Sequence, residues 1–309
     1  MMKKLIIITC VAILSFPSIS YACDICGCGV GSYYIGILPE FKKRFIGLRY
    51  QYKGLTSHIS PDGSYSYLTS KEKYQTMELW GAYNLGKRFR VLGFIPYNIN
   101  ERINQDVSTI KSGLGDIAMV GYYQLFSNSA SVSNNKLLVH SLWIGAGVKF
   151  ATGKYDPSEK TGGSGNQNNF QLGTGSTDFT LNAMYDLRIM DAGININGGY
   201  KMNTVNRYDY KYGNKMTFNL LAYYKFNIEN KFTIAPNAGL LYEKAAKDLH
   251  NSQLVQESGG NSTMGIIGAE ISIGKIGFGG NFQTPISQNL SGGTVYAGNR
   301  AMVHISFAF

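Results

Sequence analysis

The chain has 309 residues, of which 44% are hydrophobic and only 16% are charged, and its formal net charge is +10 at pH 7. Soluble domains usually carry about a quarter charged residues, and the 13% aromatic content excludes a disordered chain. The mean hydropathy of −0.11 excludes a bundle of transmembrane helices, which needs several apolar stretches of about 20 residues. A membrane β-barrel keeps its polar face inside, so its average hydropathy resembles that of a soluble protein. Composition therefore leaves a soluble all-β protein and an outer-membrane barrel open.

Residues 1–22 have the features of a secretory signal peptide. Two lysines precede an apolar run, and Ser20 and Ala22 place small residues where signal peptidase requires them. The apolar run is too short to cross a membrane as a helix. We expect cleavage after Ala22, so that the mature chain begins at Cys23.

Residues 23–40 form a second predicted segment, which begins with three cysteines, Cys23, Cys26 and Cys28. Three thiolates at this spacing suit a soft metal ion such as copper(I). An oxidising periplasm favours instead a disulfide, with the third thiol free or lipidated. Both readings stay open, and no other cofactor is expected. We expect the apolar remainder of the segment to enter the periplasmic mouth of a barrel as a plug.

From residue 41 onward the hydrophobic pattern has a period of two residues, which is typical of β-strands. The last strand shows it clearly, because one face consists of Val303, Ile305, Phe307 and Phe309. The pattern predicts about twelve strands of about 10 to 16 residues, longer than soluble strands of about 5–6 and long enough for a tilted membrane strand of about 9–11. They lie near 43–53, 73–86, 88–103, 112–126, 137–151, 176–189, 191–206, 213–228, 230–245, 262–274, 275–284 and 300–309.

The connections between the predicted strands alternate in length. Short turns, such as those near 86–88 and 274–275, alternate with longer polar segments at 54–72, 152–175, 246–261 and 285–299. Short periplasmic turns and long extracellular loops are typical of outer-membrane barrels, and an even strand number returns both termini to the periplasm. The sequence therefore predicts that 41–309 form an all-β, transmembrane, antiparallel up-and-down barrel of about 12 strands in the bacterial outer membrane.

The expected partners follow from this location. They are outer-membrane lipid, a small-molecule solute, and the outer-membrane assembly machinery, which would recognise the terminal strand through Phe309. The basic residues are scattered over turns and strand ends without a basic-aromatic cluster, so no nucleic acid is expected. We expect a monomer.

The alternation also assigns charged side chains to the lumen. Such a wall of both signs is either a structural network or the filter of a solute pathway, and both stay open. The predicted lumen residues are Arg49, Glu78, Arg102, Asp116, Lys149, Asp178, Asp186, Lys201, Lys225, Glu243 and Glu270.

A catalytic pair is also conceivable in the last strand. His304 and Ser306 share one strand face, as a nucleophile and its base would. No carboxylate that could orient the histidine is nearby in the sequence, so we predict that the chain is not an enzyme.

Four sequence blocks resemble a known family. They are Phe-Ile-Pro-Tyr at 94–97, Ser-Gly-Leu-Gly-Asp-Ile at 112–117, and the glycine-rich stretches 145–154 and 173–178. They are similar to the outer-membrane "transporter" family associated with the meta pathway of phenol degradation, although Ala151 stands where members often carry proline. The N-terminal cysteine pattern resembles a Bacteroidetes-like subgroup.

The resemblance implies a barrel that binds or passes small molecules, and hydrophobic or aromatic solutes are among those expected. We expect passive passage, because the sequence shows no nucleotide-binding motif and no energy-coupling plug domain. Two other functions stay open at this stage. One is a copper-type metal-binding outer-membrane protein that uses the cysteines, and the other is a barrel lipid hydrolase.

Overall fold

The computed structural model describes residues 44–60, 62–133, 136–158, 168, 170–229 and 231–309. The predicted signal peptide and the predicted cysteine segment lie outside these residues. No helix in the described part of the chain combines the length and the apolar character that a membrane crossing requires. The described residues form the strands β1 (Phe45–Ile59), β2 (Tyr65–Leu85), β3 (Phe89–Asn104), β4 (Val107–Leu114), β5 (Ala118–Ser133), β6 (Lys136–Lys149), β7 (Asp178–Ile189), β8 (Ala192–Met202), β9 (Tyr210–Lys211), β10 (Lys215–Tyr224), β11 (Phe226–Ile228), β12 (Phe232–Ala245), β13 (Leu249–His250), β14 (Gln253–Leu254), β15 (Gly260–Ile273), β16 (Ile276–Leu290) and β17 (Tyr296–Ala308).

Twelve of these strands close into a ring within the described residues, in the order β1, β2, β3, β5, β6, β7, β8, β10, β12, β15, β16 and β17. Each pairs with its neighbours antiparallel, and β17 pairs with β1, so the barrel has no free edge. Strand β4 pairs with residues 97–104 of β3, and β5 pairs with residues 89–94 of the same strand. Residues 115–117 separate β4 from β5. Strands β10 and β11 pair in the same way with successive parts of β12. The predicted antiparallel barrel of about twelve strands is confirmed.

The two faces of the barrel differ as the alternation predicts. Leu48 and Ile267 point outward and keep 59% and 64% of their surface exposed. The inward neighbours, such as Arg49 and His304, are buried. Each backbone donor and acceptor of a closed barrel is satisfied between strands, which permits the apolar outer face to contact lipid.

Several strands extend further than the sequence pattern indicates. Strand β1 runs to Ile59 and β2 begins at Tyr65, so residues 54–72 are mostly hairpin rather than loop. The same holds at 285–299, where only 291–295 separate β16 from β17. The polar residues that suggested loops continue the ladder instead, as in the Ser57–Ser70 pair.

The opposite side of the barrel is shorter. Strand β6 ends at Lys149 and β7 begins at Asp178, so residues 150–177 connect two short strands. Two further long connections, 203–214 and 246–259, follow on the same side. Strands β9, β13 and β14 within them form a separate three-stranded sheet. The long connections are therefore gathered at the ends of the shorter strands.

Candidate functional site

One wall of the lumen is apolar and aromatic. It consists of inward side chains of β1–β7, all nearly inaccessible to solvent: Phe45, Trp80, Leu92, Phe94, Val120, Tyr122, Trp143 and Met184. Trp80 packs edge-on against Phe45, with 4.5 Å between the ring centroids. A Cβ at Gly145 would lie 2.8 Å from the Tyr122 ring, so this lumen-facing glycine leaves room for the tyrosine.

Sequence reasoning missed this apolar wall. Alternation assigned the polar face of the strands to the lumen, yet both tryptophans of the chain, Trp80 and Trp143, point inward. The signal was available, because each tryptophan stands at an inward position of its strand rather than at an outward one near a strand end.

The facing wall, from β7 to β16, carries many carboxamides. Their side chains point inward: Asn182, Asn195, Asn197, Asn219, Asn237 and Asn281. Asn195 donates to Asp186 at 3.2 Å, and Tyr223 also donates to that carboxylate at 3.1 Å. Within the described residues, the buried Oδ1 of Asn219 and Nδ2 of Asn281 have no hydrogen-bond partner. Buried polar atoms are usually paired, so this wall has hydrogen-bonding capacity left for a solute or for water.

A small cavity of about 60 Å³ lies between the two walls. Tyr122, Leu241 and Met302 line it on the apolar side. Asn219 and Gln283 line it on the polar side, so an occupant contacts both kinds of surface. Ligand cavities typically combine an apolar lining with a few placed polar groups.

Four of the predicted lumen residues form one buried ion network. Lys149 is fully buried, with Nζ 2.6 Å from Asp116 and 3.1 Å from Asp178. Lys201 lies 3.4 Å from the same oxygen of Asp178. The Thr174 hydroxyl also accepts a hydrogen bond from Lys149 Nζ, and the Thr174 backbone N–H donates to Asp116 at 2.8 Å. Two lysines and two aspartates balance each other here, so the network anchors the 150–177 loop and is not open to solute.

The remaining predicted lumen residues also face inward. Arg49 pairs with Glu78, and Arg102 pairs with the buried Glu72 at 2.9 Å. Asp186 accepts a hydrogen bond from the Tyr223 hydroxyl, and Lys225 Nζ lies 5.5 Å from the centroid of the Tyr223 ring. Glu243 forms ion pairs with Arg300 and Lys215, and Glu270 pairs with His304. Strand parity located these charges, whereas their partners follow from the barrel closure.

Residues 170–172 of the 150–177 connection lie inside the barrel, which sequence reasoning missed. Asn98 and Asn100 of β3 donate to the backbone oxygens of Leu172 and Gln171 at 2.9 and 3.0 Å. Phe170 is fully buried, and the Arg102 guanidinium lies 4.6 Å from its ring centroid. This inserted segment narrows the lumen beside β3.

The long loops pack around a buried tyrosine cluster outside the lumen. It contains Tyr155, Tyr208, Tyr210, Tyr212 and Val255. Asp248 lies beneath it and accepts from the Tyr210 hydroxyl at 2.6 Å and the Gly213 N–H at 2.5 Å. Burial disfavours the carboxylate and raises the pKa of Asp248 to about 7.

The His304–Ser306 pair lacks the geometry of a hydrolase. The structure does supply a carboxylate, since Glu270 lies 3.2 Å from His304 Nε2. The Ser306 hydroxyl, however, donates to the Gly277 oxygen at 3.5 Å and not to the histidine. The nucleophile-to-base hydrogen bond that activates a serine is therefore missing. The residues that the structure describes contain no group of three acidic, histidine or cysteine side chains able to hold a metal, and the three cysteines lie outside them.

Comparison with solved structures places the barrel among outer-membrane proteins. An outer membrane channel from Pseudomonas putida F1 is 12% identical and matches 86% of this chain and 96% of its own, with a TM-score of 0.60. The β domain of a Bordetella autotransporter is 8% identical and matches 86% and 100%, with a TM-score of 0.48. No protein-family model and no curated protein matches the chain. The shared property is the fold.

The barrel belongs to the bacterial outer membrane. A closed antiparallel barrel with an apolar outer face is the form in which β-strands cross a membrane, and the predicted location is confirmed.

Proposed function

We propose that the protein is an outer-membrane channel for small solutes, passive in operation. The observation that carries this proposal is the cavity inside the closed twelve-stranded barrel, which is lined by inward side chains of the barrel wall. Structural barrels fill their interior with side chains, whereas wider barrels leave room for a ligand or a channel.

The walls of the cavity indicate what passes. Tyr122, Leu241 and Met302 offer apolar contacts, and Asn219 with Gln283 offers hydrogen bonds. Such a lining favours small solutes that have an apolar or aromatic body and a polar end. This agrees with the resemblance of the 94–97 and 112–117 blocks to the "transporter" family of the meta pathway of phenol degradation.

Planar-bilayer recordings test the proposal. We expect stepwise current from the purified mature chain, and larger steps when the predicted plug, residues 23–40, is deleted. Uptake of phenyl β-glucoside into proteoliposomes, measured above that of protein-free liposomes, should exceed uptake of glucose, because the apolar wall favours the aromatic ring and neither sugar crosses lipid readily by itself. Absence of both current and uptake, with and without residues 23–40, would refute the channel.

The two other functions have separate tests. A copper-type site requires Cys23, Cys26 and Cys28, so anaerobic elemental analysis should show metal that the triple Cys→Ser variant lacks. Lipid hydrolysis requires His304, so an unchanged lipid profile in cells with His304→Ala would argue against it. The residues that the structure describes include no complete site for either function.

A further inference from the structure

Three cations surround a single carboxylate at one end of the lumen cavity. Arg300 and Lys215 each lie 2.7 Å from Glu243, one on each carboxylate oxygen. Lys53 lines the same cavity as Arg300, and it interacts electrostatically with Arg300, Lys215 and Glu243. The group, here called the cation cluster, therefore carries a net charge of +2.

The Arg300–Glu243 pair crosses the lumen. Arg300 belongs to β17 and Glu243 to β12, and β15 and β16 lie between these strands in the wall. Three strand spacings amount to about 14 Å along the wall, so the two side chains meet over the interior and not along a ladder. The cation cluster thus lies over the interior of the barrel.

The position of Lys53 destabilises the sheet, and no described ion pair of Lys53 offsets this cost. Lys53 and Arg300 are directly opposite in the β1–β17 register, where like charges destabilise a sheet. Lys53 makes no ion pair in the part of the chain that the structure describes. A local arrangement that conflicts with folding is expected at functional sites.

Among the described groups that interact electrostatically with Lys53, Glu243 is the one carboxylate. Asp116 and Asp178 are held by Lys149 and Lys201, and Glu78 is held by Arg49. Uncompensated charge in a partly desolvated cavity is unfavourable unless a counter-charge enters. The neighbouring Asn219 and Gln283 supply amide hydrogen-bond donors next to the cations.

From this arrangement we infer that the cation cluster is a subsite for small organic monoanions, which bind with the carboxylate on Lys53 and Arg300 and the apolar body on Tyr122 and Met302. The inference rests on the proposed channel function and specifies the solute class of its cavity. Arginine and lysine form charge-assisted hydrogen bonds with carboxylates, roughly twice as strong as neutral ones.

Calorimetric titration of the full mature chain with benzoate and with benzamide tests the inference, because the two probes share their shape and differ in charge. We expect benzoate to bind about tenfold or more tightly than benzamide, because one charge-assisted hydrogen bond contributes a difference in affinity of that size. Binding should weaken at 1 M NaCl, where the Debye length is about 3 Å. Titration into empty detergent micelles corrects for partitioning.

Variants locate the subsite. Lys53→Gln, which breaks no described ion pair, should remove most of the preference for benzoate, and Glu243→Gln should strengthen benzoate binding by freeing two cations. The matched control is Lys244→Gln, which removes the same charge from the adjacent, outward position of β12.

Equal binding of benzoate and benzamide, or an equal effect of Lys53→Gln and Lys244→Gln, would overturn the inference. This readout needs no current, so it is independent of the conductance that tests the channel. Current without benzoate preference would refute only the anion subsite.

Discussion

Replacing Lys149 by methionine should release the inserted loop. In the folded protein, Lys149 Nζ contacts Asp116 at 2.6 Å and Asp178 at 3.1 Å, and it donates to the Ser176 oxygen at 2.8 Å. All three charged side chains are fully buried. The Lys149→Met variant retains the volume but leaves two carboxylates with Lys201 as their one cation.

The expected loss of stability is large. Removing one partner of a buried ion pair costs about 3–5 kcal/mol, because a charge remains buried without compensation. A second variant separates charge from packing. Adding Asp116→Asn to Lys149→Met leaves one carboxylate, Asp178, beside Lys201 at 3.4 Å, and the network is again neutral. We therefore expect the double variant to regain at least half of the lost free energy of unfolding.

Urea unfolding in lipid vesicles, followed by tryptophan fluorescence, measures these differences. Both tryptophans lie inside the barrel and report on its opening. Limited trypsin digestion supplies a local measurement, since cleavage after Lys154 should accelerate in the single variant. A loss below about 1 kcal/mol, typical of exposed pairs, would refute the reasoning. So would a double variant that is less stable than the single one.

Three further outcomes are expected. Because Asp248 keeps its proton in the folded state up to about pH 7, and loses it near pH 4 when unfolded, the stability of its loop should fall as pH rises between these values. Hydrogen exchange of 246–259, corrected for intrinsic rates, should be slower at pH 5 than at pH 8, and Asp248→Asn should remove most of this difference. Gly173→Ala should cost about 1–3 kcal/mol in urea unfolding, since its Cβ would clash with Asp116 Oδ1 and lie 2.8 Å from the Gly153 Cα; an equal stability would contradict the close packing. Trp143→Ala should lower uptake of phenyl β-glucoside relative to glucose in proteoliposomes, and unchanged uptake would argue that the apolar wall is not part of the pathway.

The barrel itself could be predicted from sequence because lipid imposes a strict pattern. Outward residues such as Leu48 and Ile305 must be apolar over the full membrane thickness, and the side-chain period of a strand is two. Strand ends were harder to place. Beyond the membrane the lipid constraint ends, and polar pairs such as Ser57 with Ser70 continue a ladder without any apolar alternation.

The alternation of side chains along each strand predicted which charged residues face inward, but not which of them pair with each other. Asp116 and Lys149 are 33 residues apart, and Glu243 and Arg300 are 57 residues apart. Which inward charges meet depends on the closure of the ring and on the inserted loop, and neither has a local sequence pattern. The apolar wall was not predicted because inward tryptophans do not follow the rule that polar side chains face the lumen, on which the assignment of the other strands depended.

The two ion clusters of the lumen differ in a way that separates structure from function. Around Lys149, two lysines and two aspartates balance, all are buried, and the loop backbone completes their hydrogen bonds. At the cation cluster, three cations face one carboxylate, and two of the cations, Lys53 and Arg300, border the cavity. A balanced network stabilises the barrel in the absence of any solute, whereas an unbalanced one is completed when an anion enters. Sequence alternation predicted all four charges of the balanced network as lumen residues but only Glu243 of the cation cluster, so the second set, which net charge at the cavity distinguishes, became visible only in the structure.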